Sequence, residues 1–163
     1  MSPLALLRRR RGAVVEAIYV APEAGAPMRS LEAAEVSGAG LAGDRYAAGA
    51  GYWQGPDACA VTLIRAEDLE RIARRTGLAV AAGEHRRNLV VRGLRRGDLE
   101  GGRLVIGEAL LAPQGARPPC GYLERLTRPG MARALRGRSG VCLRVERAGT
   151  LRVGDIVRIG PGT

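Results

Sequence analysis

Lysine and phenylalanine are both missing from this 163-residue sequence. Without lysine, all 26 basic side chains are arginines. Without phenylalanine, aromatics fall to 3% of the chain, so Val, Leu, Ile and Ala must fill any core. A single histidine, His85, rules out a metal site built from imidazoles. The three cysteines, Cys59, Cys120 and Cys142, form no CxxC and are odd in number. Neither a disulfide framework nor a zinc site is expected, no cysteine set could hold an iron–sulfur cluster, and a reducing cytoplasm fits. A dinucleotide fingerprint is also missing, which argues against direct hydride acceptance from a nicotinamide. No apolar run approaches membrane-spanning length. Leu4–Leu7 precedes Arg8–Arg11, the reverse of a signal peptide, so residues 1–12 are expected to form a solvated basic tail.

What remains is an ordinary globular composition, 46% hydrophobic, in one domain over residues 13–163. The formal charge of +10 favours anionic partners through long-range attraction. Nucleic acid is disfavoured as that partner, because the arginines are scattered and stacking platforms are scarce. Arginine, alanine and glycine are all abundant, a bias that says little about ligands.

Patterning along the chain is mostly β. Val14 to Val20 reads as a first strand, Ala21 to Met28 as a turn, and Leu31 to Val36 as a returning strand. Ala60 to Ile64 is a short buried run, and Ala66 to Thr76 an amphipathic helix stopped by Gly77. Asn88 to Arg92 reads as a strand, Met131 to Leu135 as a short helix, and Val141 to Glu146 as a strand entering a turn at Gly149. Arg103 to Ala112 and Leu151 to Ile159 look alike, each interrupted by Gly107-Glu108 or Gly154-Asp155, which suggests bends or bulges at barrel corners. Repeated βαβ alternation is not seen, which excludes a Rossmann reading. The expected fold is therefore mostly β, a closed or nearly closed β-barrel with a few short helices.

Ser37 to Gly55 is glycine-rich yet carries Asp44, Arg45, Tyr46, Tyr52 and Trp53, so it is expected to lie ordered over a site. Arg117-Pro118-Pro119 stiffens the chain ahead of Cys120, and cationic neighbours favour the thiolate, the form that binds metals and carries sulfur. Cys59 and Cys142 adjoin apolar strands and read as inert small hydrophobes. Arg86-Arg87-Asn88 offers planar guanidinium forks for phosphate and an amide for a heterocycle edge. Taken singly, each of these motifs is also what a solvated turn would show.

The ordered blocks are more specific. Val14-Val15-Glu16-Ala17-Ile18, Gly40 to Tyr46, Val61-Thr62-Leu63-Ile64, Arg86 to Gly93, Pro119-Cys120, Gly140-Val141 and Val153-Gly154-Asp155 together resemble the MOSC family, the domain found at the C-terminus of molybdenum-cofactor sulfurases. The resemblance implies a β-barrel holding a molybdenum cofactor (molybdopterin), with Cys120 as metal ligand and catalytic residue. Arg86 and Asn88 match the family's Arg-x-Asn pair; Arg87 stands where one branch has proline; Asp44 and Arg45 match a glycine-rich loop motif. With Arg117 these make up the expected cofactor-binding set. The function implied is reduction of N-hydroxylated small molecules by oxygen-atom transfer, with electrons from a separate donor protein. The alternative is a non-redox carrier of sulfur, as a Cys120 persulfide fed by a sulfur donor, or of the cofactor itself.

Overall fold

The chain alternates apolar and polar residues from Ala13 to Val20, and this segment becomes the spine of the molecule. It forms β1 (Ala13–Val20), whose Val15, Ile18 and Val20 are buried. The structure is a computed structural model describing residues 12–55, 59–78, 80 and 82–160. The expected basic tail, residues 1–12, falls outside the described residues apart from Gly12.

The strands that follow are β2 (Arg29–Leu31), β3 (Ala33–Ser37), β4 (Gly40–Leu41), β5 (Val61–Arg65), β6 (Leu89–Arg92), β7 (Arg103–Ile106), β8 (Ala109–Ala116), β9 (Val141–Arg147), β10 (Gly149–Arg152) and β11 (Ile156–Gly160). The helices are α1 (Ala66–Thr76), α2 (Gly121–Leu126) and α3 (Met131–Leu135), with a 3-10 turn at Arg96–Leu99. Pairing runs β11-β7-β8-β9-β5-β6-β1, and β1 pairs β11 in turn, so seven strands close a barrel. Closure leaves no strand edge open within the ring. β2 extends from β1, and β10-β3-β4 forms a separate three-stranded sheet.

The barrel has two cores. Inside it lie Val15, Ile18, Leu63, Leu89, Leu104 and Leu143. Outside, Ile64 and Val90 face Ile72, Leu123, Met131 and Leu135 of the helices. Neighbouring residues of β5 and β6 thus serve opposite cores, which is why both strands are buried nearly throughout. Each such Leu or Ile contributes roughly 1.5–3 kcal/mol of burial.

Several expectations are corrected. β5 and β6 are parallel, joined through α1, so one βαβ crossover is present where none was foreseen. The helical pattern over 66–76 with its Gly77 stop is observed, with Gly77 at φ +71 donating its N–H to the Ala73 carbonyl. Leu31 to Val36 is two strands divided at Glu32, one on β1 and one on β10. Gly107-Glu108 is a hairpin turn between β7 and β8, not a bulge. A Cβ at Gly107 would come within 2.6 Å of the Thr150 carbonyl, and φ is +56 there. Gly154-Asp155 is also a turn, but β10 and β11 belong to different sheets, so the two similar segments play different parts. Register shifts do occur in β1 between Val15 and Ala17, and in β8 between Pro113 and Gly115.

Cys59 and Cys142 are joined as a disulfide, with their Cα atoms 5.6 Å apart. Reading them as inert hydrophobes is thus wrong. Their separation of 83 positions hides the contact, which the β5–β9 pairing of Thr62 with Cys142 creates. No described helix is long and apolar enough to cross a membrane.

Candidate functional site

Cys120 is the free cysteine among the described residues, half-buried in the residue position that precedes α2. Four arginines line its pocket: Arg45, Arg86, Arg87 and Arg117. Three segments distant in sequence deliver them. Arg45 comes from the glycine-rich loop, Arg86 and Arg87 from the turn entering β6, and Arg117 from the end of β8.

Each arginine is held differently. Arg45 Nη1 bonds Asp44 Oδ1 at 3.0 Å, and its guanidinium lies 4.8 Å from the Tyr46 ring centre. Asp44 is buried; its two carboxylate oxygens also accept the Ala21 and Tyr46 backbone N–H groups at 3.1 and 3.3 Å. Its role is to brace the loop and Arg45, rather than to line the pocket. Arg87 donates from Nε to the Ser139 carbonyl at 2.7 Å and from Nη2 to Ser139 Oγ at 2.7 Å and the Arg117 carbonyl at 3.4 Å. That guanidinium ties the turn to the loop before β9 and to the Cys120 approach.

Arg86 is the exceptional member. It is the described non-glycine residue with positive φ, +59, a conformation that side chains disfavour and that clusters at functional sites. Its Nη1 donates to the Ala26 carbonyl at 2.8 Å, while Nη2 is buried without a hydrogen-bond partner. An unpaired donor on a cation is costly to bury, so the site has unused capacity for an anion or other acceptor.

Burial, then the charge of Arg45, lowers the Arg86 pKa; burial, then Arg117, pushes Arg87 down to about 9. Both shifts have the same origin. Four guanidinium groups converge on the pocket, Asp44 pairs with Arg45, and an incoming anion would offset both the desolvation and the repulsion.

Asn88 does not join them. Its Oδ1 accepts from the Thr62 N–H and hydroxyl at 3.0 and 3.1 Å, and its Nδ2 donates to the Tyr19 carbonyl at 3.1 Å. The amide is spent stitching β1, β5 and β6 together, so of the Arg86 and Asn88 pair only Arg86 lines the Cys120 pocket. His85 beside it is fully buried; its Nδ1 accepts the Arg87 N–H at 2.9 Å and Nε2 has no partner. Burial, reinforced by Arg87, drives its pKa down to about 3.

The glycine-rich loop does lie over the pocket. Tyr46 and Trp53 line it, Trp53 sits 5.9 Å from the Arg117 guanidinium, and Tyr52 stacks on Tyr122 at 3.7 Å. Four of the five aromatic residues therefore gather here. Tyr122 was missed from sequence, although a scarce aromatic two residues from Cys120 is a usable signal. Ser139 and Thr62 were also missed; nothing local marks either one.

The cleft is small and open to solvent, with about 30 Å³ of space, room for a water or two. No group of three or more His, Cys, Asp or Glu that could hold a metal occurs among the described residues, which leaves a single cysteine with cations around it. Chemically, the pocket suits an anionic group that wants one soft sulfur ligand and several phosphate-binding forks.

A closed barrel with a free cysteine and four arginines around one pocket is suited to an anionic ligand, and a family comparison refines this. The chain belongs to the MOSC domain family, whose model matches residues 51–158. That family is associated with molybdenum-cofactor binding. Among solved structures, the chain is similar in fold to the YuaD protein of Bacillus subtilis, with a TM-score of 0.74 and 20% identity over 89% of this chain and 93% of that one. It is also similar to YiiM of Geobacillus stearothermophilus (TM-score 0.71, 21% identity, 91% of this chain and 75% of that one). YiiM of Escherichia coli is a further match (TM-score 0.67, 18% identity, 92% and 71%). No curated protein sequence matches.

Proposed function

We propose that this domain binds a molybdenum cofactor of the molybdopterin type and uses it to reduce N-hydroxylated small molecules, with electrons from a separate protein. The observation carrying this reading is a free thiol grouped with four arginines, one of which has a buried, unpartnered Nη2. When bound, the cofactor would supply two-electron oxygen-atom transfer. Cys120 would be its soft protein ligand, and Arg86 would grip its phosphate. Arg87, fixed by Ser139, holds the two loops in register, while Leu123 and Pro118 limit water at the thiol. The Tyr52 and Tyr122 rings offer flat surfaces for a heterocycle. A pterin exceeds 30 Å³, so most of it would lie outside this solvent-open cleft, beside Tyr46 and Trp53. A cytoplasmic setting belongs to the same proposal, although the Cys59–Cys142 bond weighs against a strongly reducing one.

The second reading rests on the same free thiol: Cys120 could carry one extra sulfur as the persulfide of a carrier.

Elemental analysis of protein made in a cofactor-producing host separates the two. Molybdenum should be retained by the wild type and by a Cys59→Ser/Cys142→Ser double variant, and lost from Cys120→Ser. Dithionite-reduced holoprotein should convert an N-hydroxylated amidine; a nicotinamide alone should not support turnover. Full metal without turnover above apoprotein, or cyanide-labile sulfur on Cys120 without metal, would replace the enzyme with the carrier.

A further inference from the structure

Two cavities beyond the candidate site share its cationic character. The first, about 640 Å³, lies between the end of α1 and α3 and presents Arg75, Arg133, Arg136 and Arg138. The second, about 390 Å³, presents Arg65, Arg96 and Arg117 and shares Arg136 and Arg138 with the first. It also shares Arg117 and Pro118 with the Cys120 pocket. The first two hollows form one trough that runs from α1 toward the Cys120 pocket.

Charge accounting singles this face out. Arg8–Arg11 hold four of the chain's ten excess positive charges, which leaves +6 for the rest. The trough's seven arginines face two lining carboxylates, Asp68 and Glu100, a net of +5. The trough thus carries a net of five positive charges along a line that ends beside three further arginines, Arg45, Arg86 and Arg87, of the Cys120 pocket. Elsewhere several arginines are ion-paired: Arg92 with Glu16 and Glu70, Arg103 and Arg144 with Glu146, and Arg128 with Glu84. In the trough, Asp68 is shared by Arg65 and Arg138. The Arg75, Arg133 and Arg136 side chains are exposed and make no ion pair with any described residue.

We propose that this trough docks an acidic polypeptide segment of a partner protein, bringing that partner against the Cys120 pocket. Two joined cavities are longer than a single phosphate or carboxylate requires. Ile72, Leu78 and Ala134 of the first and Leu99, Pro118 and Pro119 of the second give the trough apolar patches between its cations. Such a lining matches a peptide that alternates carboxylates with apolar side chains. Nucleic acid fits less well, since no described aromatic lines either cavity to stack a base. Binding of the segment stands on the trough alone; its purpose, delivery of electrons or sulfur at Cys120, rests on the function proposed above.

Fluorescein-labelled poly-L-glutamate is the probe, titrated with the full chain by fluorescence anisotropy at low and physiological salt. Arg75→Gln/Arg133→Gln/Arg136→Gln should weaken binding about tenfold or more, because three unpaired cations are lost from one track. Arg29→Gln/Arg152→Gln/Arg158→Gln removes the same charge from exposed strand positions and should change it less than about threefold. The single reversal Arg133→Glu should weaken it in the same sense as the triple. Equal losses in the two triples would overturn the proposal, reducing it to net charge. Complete displacement by pyrophosphate would overturn it in favour of a small-anion site, and tighter, trough-dependent binding of a labelled oligo-dT in favour of nucleic acid. Molybdenum content of the trough triple should equal wild type. If the wild type holds no metal while the trough still binds the peptide, the cofactor reading fails and the docking surface stands.

Discussion

Two consecutive stretches of this chain are buried to the same degree and could hardly differ more in chemistry. Leu89, Val90 and Val91 of β6 are apolar and pack into one core or the other. His85, Arg86, Arg87 and Asn88, immediately before them, are 0–8% exposed and all polar. Burying the first group is favourable in any β domain. Burying the second is unfavourable unless every donor and acceptor is met, and two of the four residues leave one atom unmet: His85 Nε2 and Arg86 Nη2. Asn88 and Arg87 are structural clamps between strands and loops; Arg86 is strained and unsatisfied beside the thiol. A local rule broken where nothing else compensates marks the residue with work outside the fold.

The sharpest test of that contrast is pH. The His85 pKa is about 3 in the fold and near 6.5 when exposed, so the unfolded chain takes up the proton first. The stabilising contribution of neutral His85 is present above about pH 6.5 and declines as pH falls toward 3, by up to about 1.4 kcal/mol per pH unit. Urea midpoints measured across that range should show the slope, and His85→Gln should flatten it. Parallel slopes for the two proteins would mean that burial of the imidazole is not what the acid limb reports.

Leu89→Ala comes next, with an expected loss of about 2–5 kcal/mol from an interior cavity, read from chemical denaturation. Asn88→Ala should cost roughly 1–3 kcal/mol, because the Thr62 donors and the Tyr19 carbonyl lose their partner. Stability near wild type in Asn88→Ala would return this residue to the cofactor set. Arg86→Ala should cost the least stability, since it relieves a positive-φ side chain and an unpaired donor even as the Ala26 bond is lost. Its effect should appear instead in cofactor affinity, about ten- to a hundredfold weaker by molybdenum retention. A large stability loss with unchanged affinity would place Arg86 with Asn88 among the clamps.

Local signals were enough for much of this molecule. Hydrophobic period and the Gly77 stop marked α1, and Met131 to Leu135 marked α3, because such choices depend on neighbours three or four residues away. Ordered motif blocks were enough to point to the family, and an aromatic-bearing glycine loop to a covered site. Sequence alone therefore determined most of the longer elements, the β-rich class and the family, and it offered the thiol and arginines as candidates. Pairing between distant segments decided the rest. It made β5–α1–β6 a parallel crossover, bonded Cys59 to Cys142 across 83 positions, and turned Asn88 toward Thr62 instead of the pocket. It also left Arg86 Nη2 without a partner and lined seven arginines along one trough. The physical reason is common to all of these. A residue's type states which bonds it can make, but which of those bonds are already taken depends on neighbours that only the closed barrel brings within reach.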